Sequence, residues 1–221
     1  MLLDWLIPPL CVACRADRGD PLCAACRADL PWLGDRTCPR CAQPRPCGRC
    51  PAGRMAFDRA WAPVAYSGPV PAIVNALKER GALTLADAMA AQIAVAAPEA
   101  LWEPGAVLVP VPADPWRRRR RGVDHARRIA AALAQRTGLP LVPILRRAGP
   151  HARQAGRTRG QRLRADRADV QVRTRRASRP ASVLLVDDVH TTGATLHACS
   201  LALKGFGASR VVAVTYARAV A

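Results

Sequence analysis

A chain of 221 residues, 50% hydrophobic and 23% charged, has room for one α/β domain with a small appendage and has globular rather than disordered composition. No apolar run approaches the ~20 residues that a transmembrane helix needs, so no membrane span is expected. The net charge of +18 suits a polyanionic partner, but among the 34 cationic residues only Lys78 and Lys204 are lysines. The rest are arginines, and alanine is commoner still, a bias that a GC-rich genome also produces, so charge alone names no partner.

The opening stretch "MLLDWLIPPLCVAC" has no basic leader, carries Asp4 within its apolar residues and meets two prolines. It predicts no signal sequence, and a cytoplasmic location in which thiols stay reduced. Eight of the nine cysteines then fall between residues 11 and 50, as Cys11/Cys14, Cys23/Cys26, Cys38/Cys41 and Cys47/Cys50. Two thiolates spaced this way on one tight turn reach a single tetrahedral metal at about 2.3 Å. Two pairs complete one four-thiolate site, so four pairs predict two zinc sites. A disulfide framework does not suit a reducing compartment, and a redox pair does not account for four. Taking the pairs in order gives two consecutive ribbons, whereas an interleaved partition meets the spacing equally well, so the pairing stays open. Residues 1–55 hold too little aliphatic bulk to bury a core, which makes the metal structural and the source of folding energy. Arg15, Arg18, Arg27, Arg36, Arg40, Arg45 and Arg49 leave both a nucleic-acid contact and a plain docking surface open for this module.

From about Trp61 onward the composition changes, and residues 56–221 are expected to form a second domain. Helices are predicted over 70–79 and 83–97. "AVLVPVP" (106–112), "LPLVPIL" (139–145), "SVLLVDD" (182–188) and "SRVVAVTYA" (209–217) are short, β-branched and bounded by breakers, as buried strands are. "VDHARRIAAALAQRTG" and "TLHACSLALKGFG" repeat apolar positions every three to four residues and stop at Gly138, Gly205 or Gly207, as helices do. Alternation of strand and helix predicts a mostly parallel sheet covered by helices. Residues 146–179 are arginine-rich and show no periodicity, which predicts a long loop of the kind that is either a functional lid or a disordered segment.

The stretch "VLLVDDVHTTGAT" (183–195) ends a predicted strand on two acids and continues into a small-residue loop before a helix starting near Ala194 or Thr195. Ligands of open α/β sheets gather at such carboxyl ends. Backbone N–H groups, threonine hydroxyls and a helix amino terminus all favour a bound phosphate, and Gly193 lets it approach closely. The two carboxylates suit vicinal hydroxyls, whose protons they accept, or a hydrated magnesium ion. Together the parts describe a sugar phosphate.

This stretch matches the type I phosphoribosyltransferase signature: four apolar residues, two acids, two variable residues and Thr-Thr-Gly-x-Thr. The resemblance implies that fold and a magnesium-dependent site for 5-phosphoribosyl 1-pyrophosphate. Asp187 and Asp188 would hold the ribose hydroxyls at the catalytic centre, and Thr191, Thr192, Gly193, Ala194 and Thr195 the 5-phosphate. With the zinc module in front, the chain resembles the ComF family of competence-associated proteins over nearly its whole length. "LVPVP" followed by "RRRRRG" resembles that family's first core strand and basic loop, "ALKERG" (76–81) its Leu-Lys-x-Arg-Gly segment, and "RQAG" (153–156) its mobile loop. By this resemblance Lys78, Arg80 and Arg117 to Arg121, with Arg117 and Arg121 at the ends of the run, would meet the departing pyrophosphate. The chain departs from the family at Gly122, Val123, Asp124 and His125, where relatives have Gly-Phe-Asn-Gln, and at Ala165, where an asparagine is usual. Thr191 stands where hypoxanthine-type relatives carry an aspartate, which argues against that base as acceptor. His190 beside it is either a catalytic acid-base group or an exposed loop residue.

Two functions of different class follow: phosphoribosyl transfer to an unnamed acceptor, or a nucleic-acid-binding accessory of DNA uptake that uses the fold as a scaffold without turnover. The resemblance associates the chain with DNA-uptake machinery and single-stranded DNA. Aromatic residues at 4% of the chain count against binding of single strands by stacking.

Overall fold

The apolar runs near residues 106, 182 and 209 do become parallel strands, and they form the centre of the molecule. The computed structural model describes residues 10–16, 20–47, 50–80, 83–114, 123–147, 170–173 and 179–220. Its elements in chain order are α1 (Ala24–Ala28), β1 (Arg59–Trp61), β2 (Val64–Ala65), α2 (Val70–Arg80), α3 (Leu83–Ala96), β3 (Ala106–Pro110), α4 (His125–Thr137), β4 (Leu145–Arg147), β5 (Val170–Val172), β6 (Ser182–His190), α5 (Ala194–Phe206) and β7 (Arg210–Arg218). The main sheet runs β1-β7-β6-β3, with β2 also pairing to β7, and every pairing in it is parallel.

Side chains alternate across a strand, so β6 and β7 present two apolar faces. Leu184, Val186, Val212 and Val214 pack with Ile73 and Leu77 of α2, Met89 and Ile93 of α3, and Ile129 and Leu133 of α4. Val183, Leu185, Val211 and Ala213 pack with Leu196, Cys199 and Leu203 of α5. Two of these helices, α4 and α5, have readable ends. Asp124 caps α4, its carboxylate accepting from the Arg127 N–H at 3.1 Å, and Gly138 ends it at φ 71°. Asp124, one of the departures from the family pattern, therefore has a structural role as a cap. Gly207 ends α5 in the same left-handed conformation.

Three expectations need correction. β6 does not stop at the acid pair: it continues to His190, with Asp187 opposite Thr215 and His190 opposite Arg218. The loop before α5 is therefore only Thr191 to Gly193. The predicted strand at 139–145 is reduced to a parallel bridge between Leu141 and Leu108, because Pro140 and Pro143 have no N–H to give a ladder. The expected loop at 146–179 begins and ends differently, since Leu145–Arg147 and Val170–Val172 pair as an antiparallel ribbon. Residues 148–169 and 174–178, with the "RQAG" segment and Ala165, lie outside the described residues.

Short β1 is fixed at the sheet edge by Asp58. Its carboxylate pairs with Lys204 at 2.6 Å and accepts from the Val211 N–H at 2.8 Å. Burial would raise this carboxyl, but Lys204 and the Val211 N–H outweigh it and hold the group below the usual carboxylate range. The Cys-rich segment lies against the sheet on both sides: Cys11, Leu22, Cys23, Cys26 and Leu30 belong to the core on the α2–α4 face, while Cys38, Cys41 and Ala42 belong to the core on the α5 face. Among the described residues no helix is long and apolar enough to cross a membrane.

Candidate functional site

The cysteines resolve into two consecutive groups. Cys11, Cys14, Cys23 and Cys26 bring their sulfurs within 4.8 Å of one another, and so do Cys38, Cys41, Cys47 and Cys50. The interleaved partition is thereby excluded. Metal–sulfur bonds of about 2.3 Å set the edge of a sulfur tetrahedron at about 3.8 Å. The Cys14–Cys23 and Cys38–Cys50 sulfur pairs, at 3.7 and 3.8 Å, meet that edge and are far too long for disulfides. Backbone N–H groups turn inward as well, Cys23 toward Cys11 Sγ and Cys26 toward Cys23 Sγ, each at 3.5 Å.

Thiol acidity fits a cation. Burial alone would raise Cys11, but the N–H groups of Cys14, Cys23 and Ala13 outweigh it and bring the thiol down to about 6. Cys38 comes down to about 7 as the N–H groups of Arg40 and Cys41 overcome burial. Burial, and then the neighbouring sulfurs, push Cys26 and Cys41 up to about 12. The opposed shifts within each group come from the closeness of the sulfurs, and a bound dication favours the thiolate form of all four.

The second candidate site lies at the carboxyl end of β6. Asp188 is buried and pairs with Lys78 of α2 at 2.7 Å. Asp187 accepts the Asp188 N–H on its Oδ1 at 2.9 Å. Burial first, then the adjacent Asp188 charge, push the Asp187 carboxyl up to about 8, against the opposing pull of Lys78 and Arg147. After them, Thr191, Thr192, Gly193, Ala194 and Thr195 line a small cavity of about 40 Å³ together with Asp187. Gly193 precedes α5 with φ 77° and offers no side-chain cap, and the Ala194 N–H donates to Thr192 Oγ1 at 3.4 Å. A Cβ on Gly193 would stand 2.8 Å from His190 Nε2. His190 itself is buried at 3% exposure, edge-on to Phe57 with ring centroids 5.7 Å apart. The exposed-loop alternative for it is therefore wrong. Burial, then the Arg218 charge, push its pKa down to about 4, which leaves the imidazole neutral at pH 7.

Beside the acid pair, a cavity of about 190 Å³ opens where β3 ends. Pro110, Pro112, Arg127, Arg146, Arg147 and Arg173 are among its walls. Pro110 lies opposite Val186 in the β3–β6 register, so this arginine pocket adjoins the strand end that carries Asp187. Of the residues expected to meet pyrophosphate, Lys78 stands against Asp188 and Arg80 is the last residue of α2, while Arg117 and Arg121 lie outside the described residues.

Sequence reasoning missed Arg127, Arg146, Arg147 and Arg173 as a group, and Arg218 entirely. Nothing local marks these arginines among so many, because the sheet register and the β4–β5 ribbon bring them together.

Residues 2–56 match the double zinc ribbon domain family. The amino-terminal part is accordingly a double zinc ribbon with two four-cysteine zinc sites, joined to a mixed α/β unit with a mostly parallel sheet flanked by helices. No curated protein matches the chain.

Proposed function

We propose that the chain is a phosphoribosyltransferase-like protein of the ComF type, which binds 5-phosphoribosyl 1-pyrophosphate with magnesium at the carboxyl end of β6. The observation that carries this reading is the joining of two donor sets in nine residues: carboxyl groups at Asp187 and Asp188, then the small-residue helix start at Thr191 to Thr195 that lines a cavity with Asp187. The loop N–H groups and threonine hydroxyls take the 5-phosphate. Asp187 and Asp188 accept the ribose hydroxyls and fix the ring. As the bond from the anomeric carbon to pyrophosphate stretches, positive charge develops on the ribose, as in glycoside cleavage. The arginine pocket at the end of β3 suits the departing pyrophosphate electrostatically. Magnesium, when bound, supplies charge neutralisation of that leaving group, and the carboxylate pair has the hard oxygen donors it takes. The acceptor is unnamed, and the family's association with DNA uptake and competence supplies the biological setting for this reading.

Calorimetric titration of the zinc-loaded chain with phosphoribosyl pyrophosphate and magnesium tests it. Saturable binding is expected, weakened at least about tenfold in Asp187→Asn/Asp188→Asn, since each lost charged hydrogen bond is worth about 1.5–3 kcal/mol. No binding by the wild type overturns the assignment. The arginine pocket and the +18 charge favour a second reading, a nucleic-acid-binding accessory without turnover. That reading requires single-stranded DNA affinity that falls steeply with salt, and a flat response removes it.

A further inference from the structure

Arg218 closes β7 with its side chain buried at 3% exposure, and no carboxylate pairs with it among the described residues. A buried guanidinium needs both hydrogen-bond acceptors and a counter-charge. The acceptors are four carbonyl oxygens. Nε donates to Cys41 at 2.8 Å, while Nη1 is shared among His190 at 2.7 Å, Thr191 at 2.6 Å and Ala219 at 2.8 Å. One of these carbonyls belongs to a ligand of the second zinc site, and two belong to the turn that leads from β6 into the Thr191–Thr195 loop. The counter-charge follows from the same geometry, because a zinc ion on four thiolates is a dianion.

Other contacts strengthen the same connection. Phe57, just beyond the second ribbon, meets the His190 ring, and His190 Nε2 occupies the space where a Gly193 side chain would start. The Ala56 N–H donates to His197 Nδ1 of α5 at 2.9 Å, and Gln43 Nε2 donates to the Ala219 carbonyl at 2.9 Å. The first ribbon makes a different set of bonds. Leu33 N–H donates to the Pro63 carbonyl and Ala65 N–H to the Pro31 carbonyl, both at 2.9 Å, so this ribbon is tied to β2, which meets Arg218 through backbone register at Ala65 and not through the guanidinium.

We propose that Arg218 is a positioning residue that takes its counter-charge from the second zinc site and fixes the His190 and Thr191 carbonyls, so that ligand binding at Thr191–Thr195 depends on the second zinc and not on the first. The ligand half of this inference rests on the phosphoribosyl reading, whereas the link between Arg218 and zinc does not. It predicts coupling in both directions, since a site that stabilises the loop is itself stabilised by whatever the loop binds.

The experiment uses the full zinc-loaded chain and three variants: Arg218→Gln, Arg218→Lys and, as a first-site control, Cys14→Ser. Zinc transfer to a colorimetric chelator is followed with time, and phosphoribosyl pyrophosphate affinity is measured in parallel. In Arg218→Gln one of the two zinc ions should leave at least about tenfold faster, as for loss of an outer-shell partner. Arg218→Lys keeps the charge but not the fork of donors, so it should hold zinc nearly as well as wild type while binding ligand about tenfold more weakly. Cys14→Ser should lose one zinc and keep ligand affinity within about threefold, a small change beside the tenfold that marks one lost charged bond. If wild type binds no ligand, the phosphoribosyl reading fails, yet zinc release from Arg218→Gln still decides the link. Unchanged zinc release in Arg218→Gln refutes it. Equal ligand affinity in wild type and Arg218→Lys refutes the positioning of the loop. Should Arg218→Gln fail to fold, Cys47→Ser takes its place: loss of the second zinc should weaken ligand binding at least about tenfold where Cys14→Ser does not, and equal affinities in the two variants refute the dependence on the second zinc.

Discussion

The two zinc ribbons have the same four-cysteine ligand set and the same two-residue spacing within each cysteine pair, yet they lean on opposite faces of one sheet. The first packs with α2, α3 and α4, and the second with α5 and the strand ends that carry the candidate loop. Chemistry alone makes them equivalent. Position makes them different, because only the second reaches the His190–Thr191 turn through a buried cation. Repeated sequence modules therefore need not be repeated functions, and the sheet decides which copy touches the site.

Removing metal tests that contrast most severely. Structural zinc supplies about 10–16 kcal/mol in zinc-finger peptides, so chelation should unfold much of residues 11–50 while β6 and β7 stay protected, as read by amide exchange. Cys47→Ser should speed exchange at 190–195, whereas Cys14→Ser should not. Equal behaviour of the two variants would erase the distinction between the ribbons.

The acid pair gives a pH signature that belongs to the loop side alone. Asp187 has its folded-state pKa raised from 3.8 to about 8, so between those values the folded chain holds a proton that the unfolded chain has lost. Stability contributed at this position must fall as pH rises from about 4 to about 8. His190, held neutral in the fold, works in the opposite sense below about 6.5, so thermal melts of the ligand-free protein should show the net decline between about pH 6.5 and 8, and Asp187→Asn should flatten it.

Two glycines sharpen the comparison at smaller scale. Gly193→Ala meets both a left-handed backbone and His190 at 2.8 Å, and should cost about 1–3 kcal/mol in denaturant unfolding. Gly138→Ala has the same backbone problem with open space around it, and should cost about 1–2 kcal/mol. The smallest change expected is Asp124→Ala, about 1 kcal/mol for the lost α4 cap, with no effect on zinc release.

Much of this arrangement can be read from residues alone. The runs at 182 and 209 identify β6 and β7, and Gly138 and Gly207 end the helices where a left-handed residue is needed. β1, β2 and β5 are invisible because two or three residues carry no period. The 139–145 run misleads because its apolar pattern ignores the N–H groups that two prolines lack. At the sites, eight cysteines announce two metals, but identical spacings cannot say which pairs meet. The "DDVHTTGAT" stretch displays its donors openly. Arg218 does not, since its importance lies in carbonyls contributed by residues 41, 190, 191 and 219, which only the folded chain assembles.

The central claim is that the loop after β6 receives the phosphate of a phosphoribosyl ligand. Amide chemical-shift mapping with ribose 5-phosphate and magnesium tests it most directly. The account predicts saturable shifts greatest at residues 191–195, absent in Asp187→Asn/Asp188→Asn. Shifts confined to other surfaces, or none at saturating ligand, would contradict it.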